Sequence, residues 1–185
     1  MLPNILTILR LLSVPVVLSL AYGQTPGVLA LGLGLFMLTS FTDWLDGHLA
    51  RTHDTITTFG TVMDPVADKI LILGVLFVFS DRDLLPMWLV LINLFRELFI
   101  SGIRAVQASK GSIIQANWMG KLKFCLQVVV VGLGFVQLLL ESADMDFAGG
   151  RHILLYCTLC MTIISCVLAL NLLRWHGEDL MKEHT

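Results

Sequence analysis

Four aspartates in the sequence have the residue type and the spacing to bind divalent metal ions. Asp43 lies three residues before Asp46, Asp64 lies four residues before Asp68, and both pairs interrupt apolar segments. If these segments are helices, each pair shares one helix face, because successive residues turn by about 100°. A hairpin centred near Thr55 then places Asp46 opposite Asp64 and brings all four carboxylates to one depth. Hard oxygen donors with no histidine or cysteine among them favour Mg²⁺ or Mn²⁺.

The chemistry that such a site performs is displacement at phosphorus, because two divalent ions can hold both the attacking and the leaving oxygen. The structural alternative is that the aspartates pair with basic side chains. Arg51 and Lys69 are the only bases close to them in the sequence, so at least two negative charges stay uncovered. A carboxylate near the bilayer centre costs about 2.5–3.5 kcal/mol, which favours the metal site. The same helix faces carry small residues that leave room for a ligand, namely Gly47, Ala50, Gly60 and Ala67.

Membrane-spanning helices must position these residues. The chain has 185 residues, of which 56% are hydrophobic and 14% charged, and its mean hydropathy of +0.83 is too high for a soluble domain of this length. Six apolar stretches can each cross a hydrocarbon core of about 30 Å. They are 5–22, 27–50, 59–80, 86–109, 115–141 and 152–173. We predict an all-α membrane protein with one domain, 1–185, and six transmembrane helices in a compact bundle whose consecutive helices are antiparallel neighbours.

The distribution of lysine and arginine predicts the orientation of the bundle. With the N-terminus inside, most basic residues fall at the cytoplasmic ends of the spans, and only Arg82 and Arg151 face outward. Both termini and the aspartate site should therefore face the cytoplasm of a multi-pass protein in the plasma or inner membrane. The net charge of −2 says little about partners. The sequence has no basic surface interleaved with aromatic residues, which argues against nucleic acid as a partner.

A second group of candidates consists of basic residues on either side of a turn near Gly111. The turn folds Arg104 toward Lys121, and Arg96 lies about two helical turns deeper on a similar side. Converging cations suit a phosphomonoester, to which arginine can donate two parallel hydrogen bonds. The predicted acceptor-phosphate site comprises Arg96, Arg104, Lys121 and Lys123. The alternative for Arg96 is an ion pair with Glu97 or with another buried acid, and for the other three it is anchoring at the cytoplasmic interface.

The segment from Asp43 to Asp68 carries a family resemblance. It reads D-W-L-D-G-H-L-A-R, then eight residues, then G-T-V-M-D-P-V-A-D. This resembles the signature of the CDP-alcohol phosphatidyltransferases and matches all eight of its fixed positions over 26 residues. The resemblance implies a six-helix membrane fold that forms a homodimer. It also implies that an alcohol acceptor displaces CMP from a CDP-linked lipid, here CDP-diacylglycerol.

The resemblance further implies roles for individual residues. Asp43, Asp46 and Asp64 would bind the first of two metal ions, and Asp43, Asp64 and Asp68 the second. Asp68 would also take the proton of the acceptor hydroxyl as general base. The CDP-lipid site would comprise Gly47, Ala50, Arg51, Thr57, Gly60, Asn4 and Thr7. Arg10 lies at the rim of the nucleotide site in this interpretation, and in the alternative it snorkels to the membrane interface.

A wider set of motifs, which covers nearly the whole chain, resembles the family members whose acceptor is sn-glycerol 3-phosphate. They are P-N-I-L-T-I-L-R at 3–10, D-P-V-A-D-K at 64–69, R-E-L-F-I-S-G-I-R at 96–104, A-S-K-G at 108–111 and G-K-L-K at 120–123. A threonine usually follows the last motif, whereas this sequence has Phe124. The alternatives within the family are phosphatidylglycerol, inositol phosphate or serine as acceptor. Alternatives from other classes are a divalent-cation transporter and a CDP-lipid binding protein without activity.

Overall fold

The chain folds into six α-helices in the computed structural model. The structure describes the backbone of residues 2–53, 58–109, 118–145 and 148–182, and the side chains of 9–42, 66–67, 69–103, 105, 123–145 and 149–170. The helices are α1 (Leu2–Ala21), α2 (Pro26–His53), α3 (Thr58–Asp81), α4 (Met87–Ser109), α5 (Trp118–Ser142) and α6 (Ala148–Lys182). No strand occurs in these backbone ranges, which agrees with the predicted all-α class.

Each helix corresponds to one of the predicted apolar stretches. The boundaries agree to within a few residues, except that α6 continues to Lys182 instead of ending near residue 173. The added turns contain Glu178, Leu180 and Met181, which have high helix propensity. The helix therefore continues after the apolar sequence has ended, because helix propensity does not depend on hydrophobicity.

Apolar helices of membrane-crossing length are present among the described residues. Lys123–Ser142 and Gly149–Leu170 are long and apolar enough to cross a membrane, and Leu9–Ala21 and Pro26–Thr42 are shorter apolar stretches. Large apolar side chains also point outward, with Phe95 71% exposed. Such a surface suits a lipid environment, because lipid tails are as apolar as the side chains that they surround.

In the described part of the chain, the six helices pack in a closed ring. In ring order the helices are α1, α3, α4, α6, α5 and α2, which packs again on α1, and α3 contacts α5 across the middle. The consecutive pairs α1–α2, α3–α4 and α5–α6 are neighbours as predicted. Helices α4 and α5 meet through the ion pair of Glu97 with Lys123, and the packing of α2 against α3 stays a prediction. Helices α3 and α5 are thus the central elements.

Aromatic packing fills the contact between α3 and α5. The Phe79 ring of α3 meets the Phe135 ring of α5 edge-on with centroids 5.6 Å apart, and Phe36 of α2 lies 6.3 Å from Phe135 on the other side. All three side chains are fully buried. Gly134 allows this approach, because a Cβ at that position would lie 2.1 Å from Cε2 of Phe79. This packing fixes α3 against α5.

An arginine and two residues with a left-handed backbone conformation lie at the end of the bundle where α1, α3 and α5 terminate. Arg82 Nη1 donates hydrogen bonds to the backbone oxygens of Ala21 (3.0 Å) and Gly23 (2.8 Å), which lie at the end of α1. Asp83, with φ of 59°, lies two residues after the end of α3, and Asp144, with φ of 53°, lies two residues after the end of α5. In both turns the backbone N–H after the aspartate bonds a carbonyl five residues earlier, which is the Schellman geometry.

Candidate functional site

Helices α2 and α3 carry the residues of the aspartate signature. The bounds of α2 include Asp43 and Asp46, and those of α3 include Asp64 and Asp68. The four carboxylates lie outside the described side chains. Among the side chains that are described, no group of three or more metal-binding residues occurs. The metal site therefore stays a prediction from the sequence.

A charged cluster lies at the junction of α3, α4, α5 and α6, and it comprises Lys69, Arg96, Glu97 and Lys123. The Glu97 carboxylate of α4 accepts hydrogen bonds from Arg96 Nη1 at 2.5 Å and from the Lys123 ammonium of α5, which contacts both carboxylate oxygens. Glu97 and Arg96 are 7% and 8% exposed. Buried ions are stable only when they are paired and hydrogen-bonded, so these three side chains form one unit.

Lys69 joins the cluster from α3 through a serine of α4. Its ammonium donates a hydrogen bond to Ser101 Oγ at 2.5 Å, and Ser101 Oγ in turn donates to the backbone oxygen of Glu97 at 2.6 Å. Lys69 is also near enough to interact electrostatically with Glu97 and with Lys123. It directly follows Asp68 in α3, so the charged cluster lies at the level of the second aspartate pair along that helix.

The charged cluster has an excess of positive charge. Lys69, Arg96 and Lys123 are three cations against the single carboxylate of Glu97, which leaves a formal charge of +2 among the described side chains. A net charge is costly to bury, and an anionic ligand lowers that cost by pairing with the excess cations. Cations arranged in this way can bind an anion such as a phosphomonoester.

Polar side chains hold α4 against α6 next to the charged cluster. Asn93 Nδ2 donates to Thr162 Oγ1 at 2.7 Å, and Arg96 Nε donates to the backbone oxygen of Ser165 at 3.1 Å. Thr162 and Ser165 are buried. Hydrogen bonds of this kind between apolar helices stabilise one relative position, because unpaired polar groups are unfavourable there. The guanidinium group of Arg96 is thereby fixed from α6 as well as from Glu97.

The structure brings together part of the predicted basic set. Arg96 and Lys123 meet at Glu97, so the ion pair considered as the alternative for Arg96 is present. Arg10 is 6% exposed and interacts within the protein, which speaks against snorkelling to the interface. The remaining predicted site residues lie outside the described side chains. They are Asn4, Thr7, Gly47, Ala50, Arg51, Thr57, Gly60, Arg104 and Lys121.

Sequence reasoning missed Lys69 and Ser101 as neighbours of the basic residues, and considered Glu97 only as a partner of Arg96. The available signal was helical spacing: Glu97 and Ser101 are four residues apart and share a face of α4. An acidic residue and a hydroxyl on a face directed at two other helices predict partners on those helices. The sequence could not identify which lysines these partners are.

Comparisons with known proteins agree with the signature. The family model described as CDP-alcohol phosphatidyltransferase matches residues 1–170. A CDP-diacylglycerol–glycerol-3-phosphate 3-phosphatidyltransferase of Bacillus subtilis is 35% identical over 142 residues, which are 70% of this chain and 74% of the relative. A protein of the same name from Cereibacter sphaeroides is 36% identical over 146 residues, or 77% of this chain and 66% of the relative.

A probable phosphatidylglycerophosphate synthase of Mycobacterium tuberculosis is 41% identical over 135 residues, which are 71% of this chain and 64% of the relative. The chain thus spans between about two thirds and three quarters of the length of these relatives. The family match covers α1 to α5 completely and α6 as far as residue 170. Since helices, signature and relatives agree over this length, the chain belongs to the CDP-alcohol phosphatidyltransferase family of membrane-associated transferases.

Proposed function

We propose that the protein transfers the phosphatidyl group of CDP-diacylglycerol to sn-glycerol 3-phosphate, which gives phosphatidylglycerophosphate and CMP. The observation that carries the choice of acceptor is the charged cluster, whose described side chains are three cations and one carboxylate and whose Lys69 directly follows Asp68 in α3. The names of the bacterial relatives support the same reaction. The two arguments are independent, because one rests on charge and the other on sequence similarity.

The charge of the acceptor distinguishes the candidates within the family. A phosphomonoester carries about −1.5 to −2 charges at pH 7, which matches the excess of the charged cluster. Serine has no net charge, and phosphatidylglycerol carries its phosphate as a diester with one charge. Inositol phosphate is also a phosphomonoester, so the charged cluster suits it as well. We favour sn-glycerol 3-phosphate because of the relatives.

Two divalent ions, Mg²⁺ or Mn²⁺, are the proposed cofactors. Their ligands would be the carboxylates of Asp43, Asp46, Asp64 and Asp68, and this donor set fits such ions because hard cations prefer oxygen ligands. Ions bound there would neutralise the negative charge that develops on the phosphate oxygens. The divalent-cation transporter, our alternative of another class, accounts for the same carboxylates but gives no reason for the nearby excess of cations.

The proposed mechanism is a single displacement at the β-phosphorus of CDP-diacylglycerol. Asp68 accepts the proton of the primary hydroxyl of the acceptor, and the oxygen of that hydroxyl forms the new bond to phosphorus. The bond from phosphorus to the oxygen of CMP breaks, and CMP leaves with the electron pair. Arg96 and Lys123 bind the acceptor's phosphate, with Arg104 and Lys121 beside them. Gly47, Ala50, Arg51, Thr57, Gly60, Asn4 and Thr7 contact the CDP-lipid.

The proposed arrangement in the membrane has six transmembrane helices with both termini and the active site on the cytoplasmic side. The apolar stretches of the described helices support this topology, and so does the placement of lysine and arginine. A water-soluble acceptor would then reach the site from the cytoplasm while the lipid substrate enters from the bilayer. The protein is proposed to act as a homodimer, as the family resemblance implies.

CMP release by the purified protein tests the reaction. The protein in detergent micelles with CDP-diacylglycerol and Mg²⁺ or Mn²⁺ should release CMP when sn-glycerol 3-phosphate is added, and should not when serine or phosphatidylglycerol is added. Inositol phosphate is tested in parallel. Absence of CMP with every acceptor and either metal would contradict the proposal. Metal flux into liposomes without CMP release would favour the transporter.

Replacing Asp68 with asparagine tests the proposed base. The amide cannot accept the hydroxyl proton, so kcat should fall by at least about 10²-fold while CDP-diacylglycerol still binds. Asp81→Asn at the other end of α3 makes the same chemical change and should leave kcat within about twofold. Retained turnover in Asp68→Asn would remove this residue from the proposed role.

A further inference from the structure

We propose that Glu97 is a positioning residue for acceptor binding, which holds Arg96 and Lys123 together at the place where the acceptor's phosphate binds. The inference rests on the proposed function and deepens it. It concerns an acidic residue, which is an unexpected component of a site for an anion. A carboxylate in such a site repels the ligand, so its presence requires a reason other than ligand contact.

The contacts of Glu97 supply that reason. One carboxylate oxygen, Oε2, receives hydrogen bonds from both Arg96 Nη1 and the Lys123 ammonium, and Oε1 receives a second contact from Lys123. The two cationic groups are therefore held on one carboxylate, although their positive charges repel each other. Without Glu97 they would separate, because close like charges in a buried site are strongly unfavourable.

Glu97 also connects helices that carry different parts of the site. Lys123 lies near the start of α5, and its ammonium donates hydrogen bonds to both carboxylate oxygens of Glu97 in α4. Lys69 of α3 reaches the same turn of α4 through Ser101, whose hydroxyl donates to the backbone oxygen of Glu97. A lysine side chain has four rotatable bonds, so Lys123 needs a fixed acceptor to keep its ammonium at one place.

The alternative role for Glu97 is that of a competitor, which occupies the cations until the acceptor displaces it. The number of cations argues against this role, because among the described side chains the charged cluster has three cations and Glu97 is its single carboxylate. A phosphomonoester can therefore bind to the cluster while Glu97 stays in place. The burial of Glu97, 7% exposed, also argues against displacement, because the freed carboxylate would have to move through the packed helices.

The two roles predict opposite effects of Glu97→Gln, which keeps the shape of the side chain and removes its charge. If Glu97 positions the cations, the KM for sn-glycerol 3-phosphate should rise about tenfold or more, because a displacement of binding groups by about 1 Å is enough for such a loss. The KM for CDP-diacylglycerol and kcat should stay within about threefold. If Glu97 competes with the acceptor, the KM for sn-glycerol 3-phosphate should fall.

Glu141→Gln is the matched control for this experiment. Glu141 also forms an ion pair with an arginine, Arg151, at 2.8 Å. It lies near the other end of α5, at a distance from Lys123 of about 27 Å along the helix axis. The same chemical change there should leave both KM values and kcat unchanged. Folding of each variant is measured by size-exclusion chromatography and by thermal unfolding in detergent.

Glu97→Asp is the second variant, and it decides the question if Glu97→Gln does not fold. Aspartate keeps the charge but is shorter by one methylene group, so it cannot contact both cations in the same geometry. If both variants fold, the KM of Glu97→Asp for sn-glycerol 3-phosphate should lie between the values of the wild type and Glu97→Gln. If only Glu97→Asp folds, its KM should lie above that of the wild type. An unchanged or lower acceptor KM in the folded variant overturns the inference. So does an equal loss in both KM values and in kcat, which indicates a purely structural role.

Failure of the inference and failure of the proposed function give different results. If the wild type releases no CMP with sn-glycerol 3-phosphate, the proposed function is wrong. If the wild type is active and Glu97→Gln has the acceptor KM of the wild type, only the positioning role is wrong. Lys123→Gln and the double variant give a third check. If Glu97 acts through Lys123, the fold increase in the acceptor KM of the double variant should be smaller than the product of the two single increases.

Discussion

Replacing Gly134 with alanine should destabilise the protein, because the added methyl group would occupy the space of the Phe79 ring. The new Cβ would lie 2.1 Å from Cε2, 2.5 Å from Cζ and 2.6 Å from Cδ2 of that ring. Contacts between carbon atoms are normally about 3.5–4.0 Å, so the ring or the helix must move by more than about 1 Å. Phe79 is fully buried and packs edge-on against Phe135, which prevents a free rotation of the ring.

The expected loss of stability for Gly134→Ala follows from two opposing effects. Inserting a methyl group into a packed core costs about 1–3 kcal/mol. Alanine gains up to about 1 kcal/mol over glycine in helix propensity. The overlap is with a rigid ring, so packing should dominate and the free energy of unfolding should fall by about 1–2 kcal/mol. For a protein of this size the apparent Tm should drop by about 2–8 °C.

Thermal unfolding of the purified protein in detergent, followed by tryptophan fluorescence, measures this change. Gly34→Ala in α2 is the control, because no atom of the described residues lies within 4 Å of a Cβ at that position. The control should match or exceed the wild-type Tm. Adding Phe79→Leu to Gly134→Ala should recover part of the loss by removing the ring atoms that overlap. Equal Tm values for Gly134→Ala and Gly34→Ala would refute the packing argument for α3 and α5.

Three further experiments test other parts of the fold by the same measurement. Arg82→Gln should lower stability by about 1–2 kcal/mol, because it removes charge-assisted hydrogen bonds to the end of α1; an unchanged Tm would show that these bonds contribute nothing. Asp144→Gly should raise stability by a few tenths to about 1 kcal/mol, because glycine adopts the φ of 53° without strain; a lower Tm would contradict this. A double-mutant cycle with Asn93→Ala and Thr162→Ala should give a coupling energy of about 0.6 kcal/mol between α4 and α6, and additive effects would show that the bond is not stabilising.

The six helices could be predicted from the sequence because each depends on a local property. An apolar stretch of about 20 residues forms a helix wherever it meets lipid, since its backbone groups have no other partners there. The ends of α1 to α5 agree with the stretches within a few residues for this reason. The end of α6 does not, because propensity rather than apolarity extends that helix to Lys182.

The contacts between helices could not be predicted to the same degree. The sequence predicted consecutive neighbours, whereas α1 also packs on α3, α2 on α5, α4 on α6 and α3 on α5. Short loops predict that consecutive helices are adjacent, but they carry no information on which further faces meet. The Phe79–Phe135 contact depends on Gly134, and one glycine in an apolar stretch does not reveal which helix will approach it.

The sequence by itself determined the family, through eight fixed residues in a segment of 26. It thereby also identified the aspartates that we propose as metal ligands. Such a signature can be recognised without a tertiary structure, because helical periodicity alone places the two aspartates of each pair on one helix face. Only the tertiary structure decided that Lys123 pairs with Glu97, 26 residues away, and that Lys69 bonds Ser101, 32 residues away. These side chains meet because of how α3, α4 and α5 pack, and packing depends on the shapes of all the intervening side chains together.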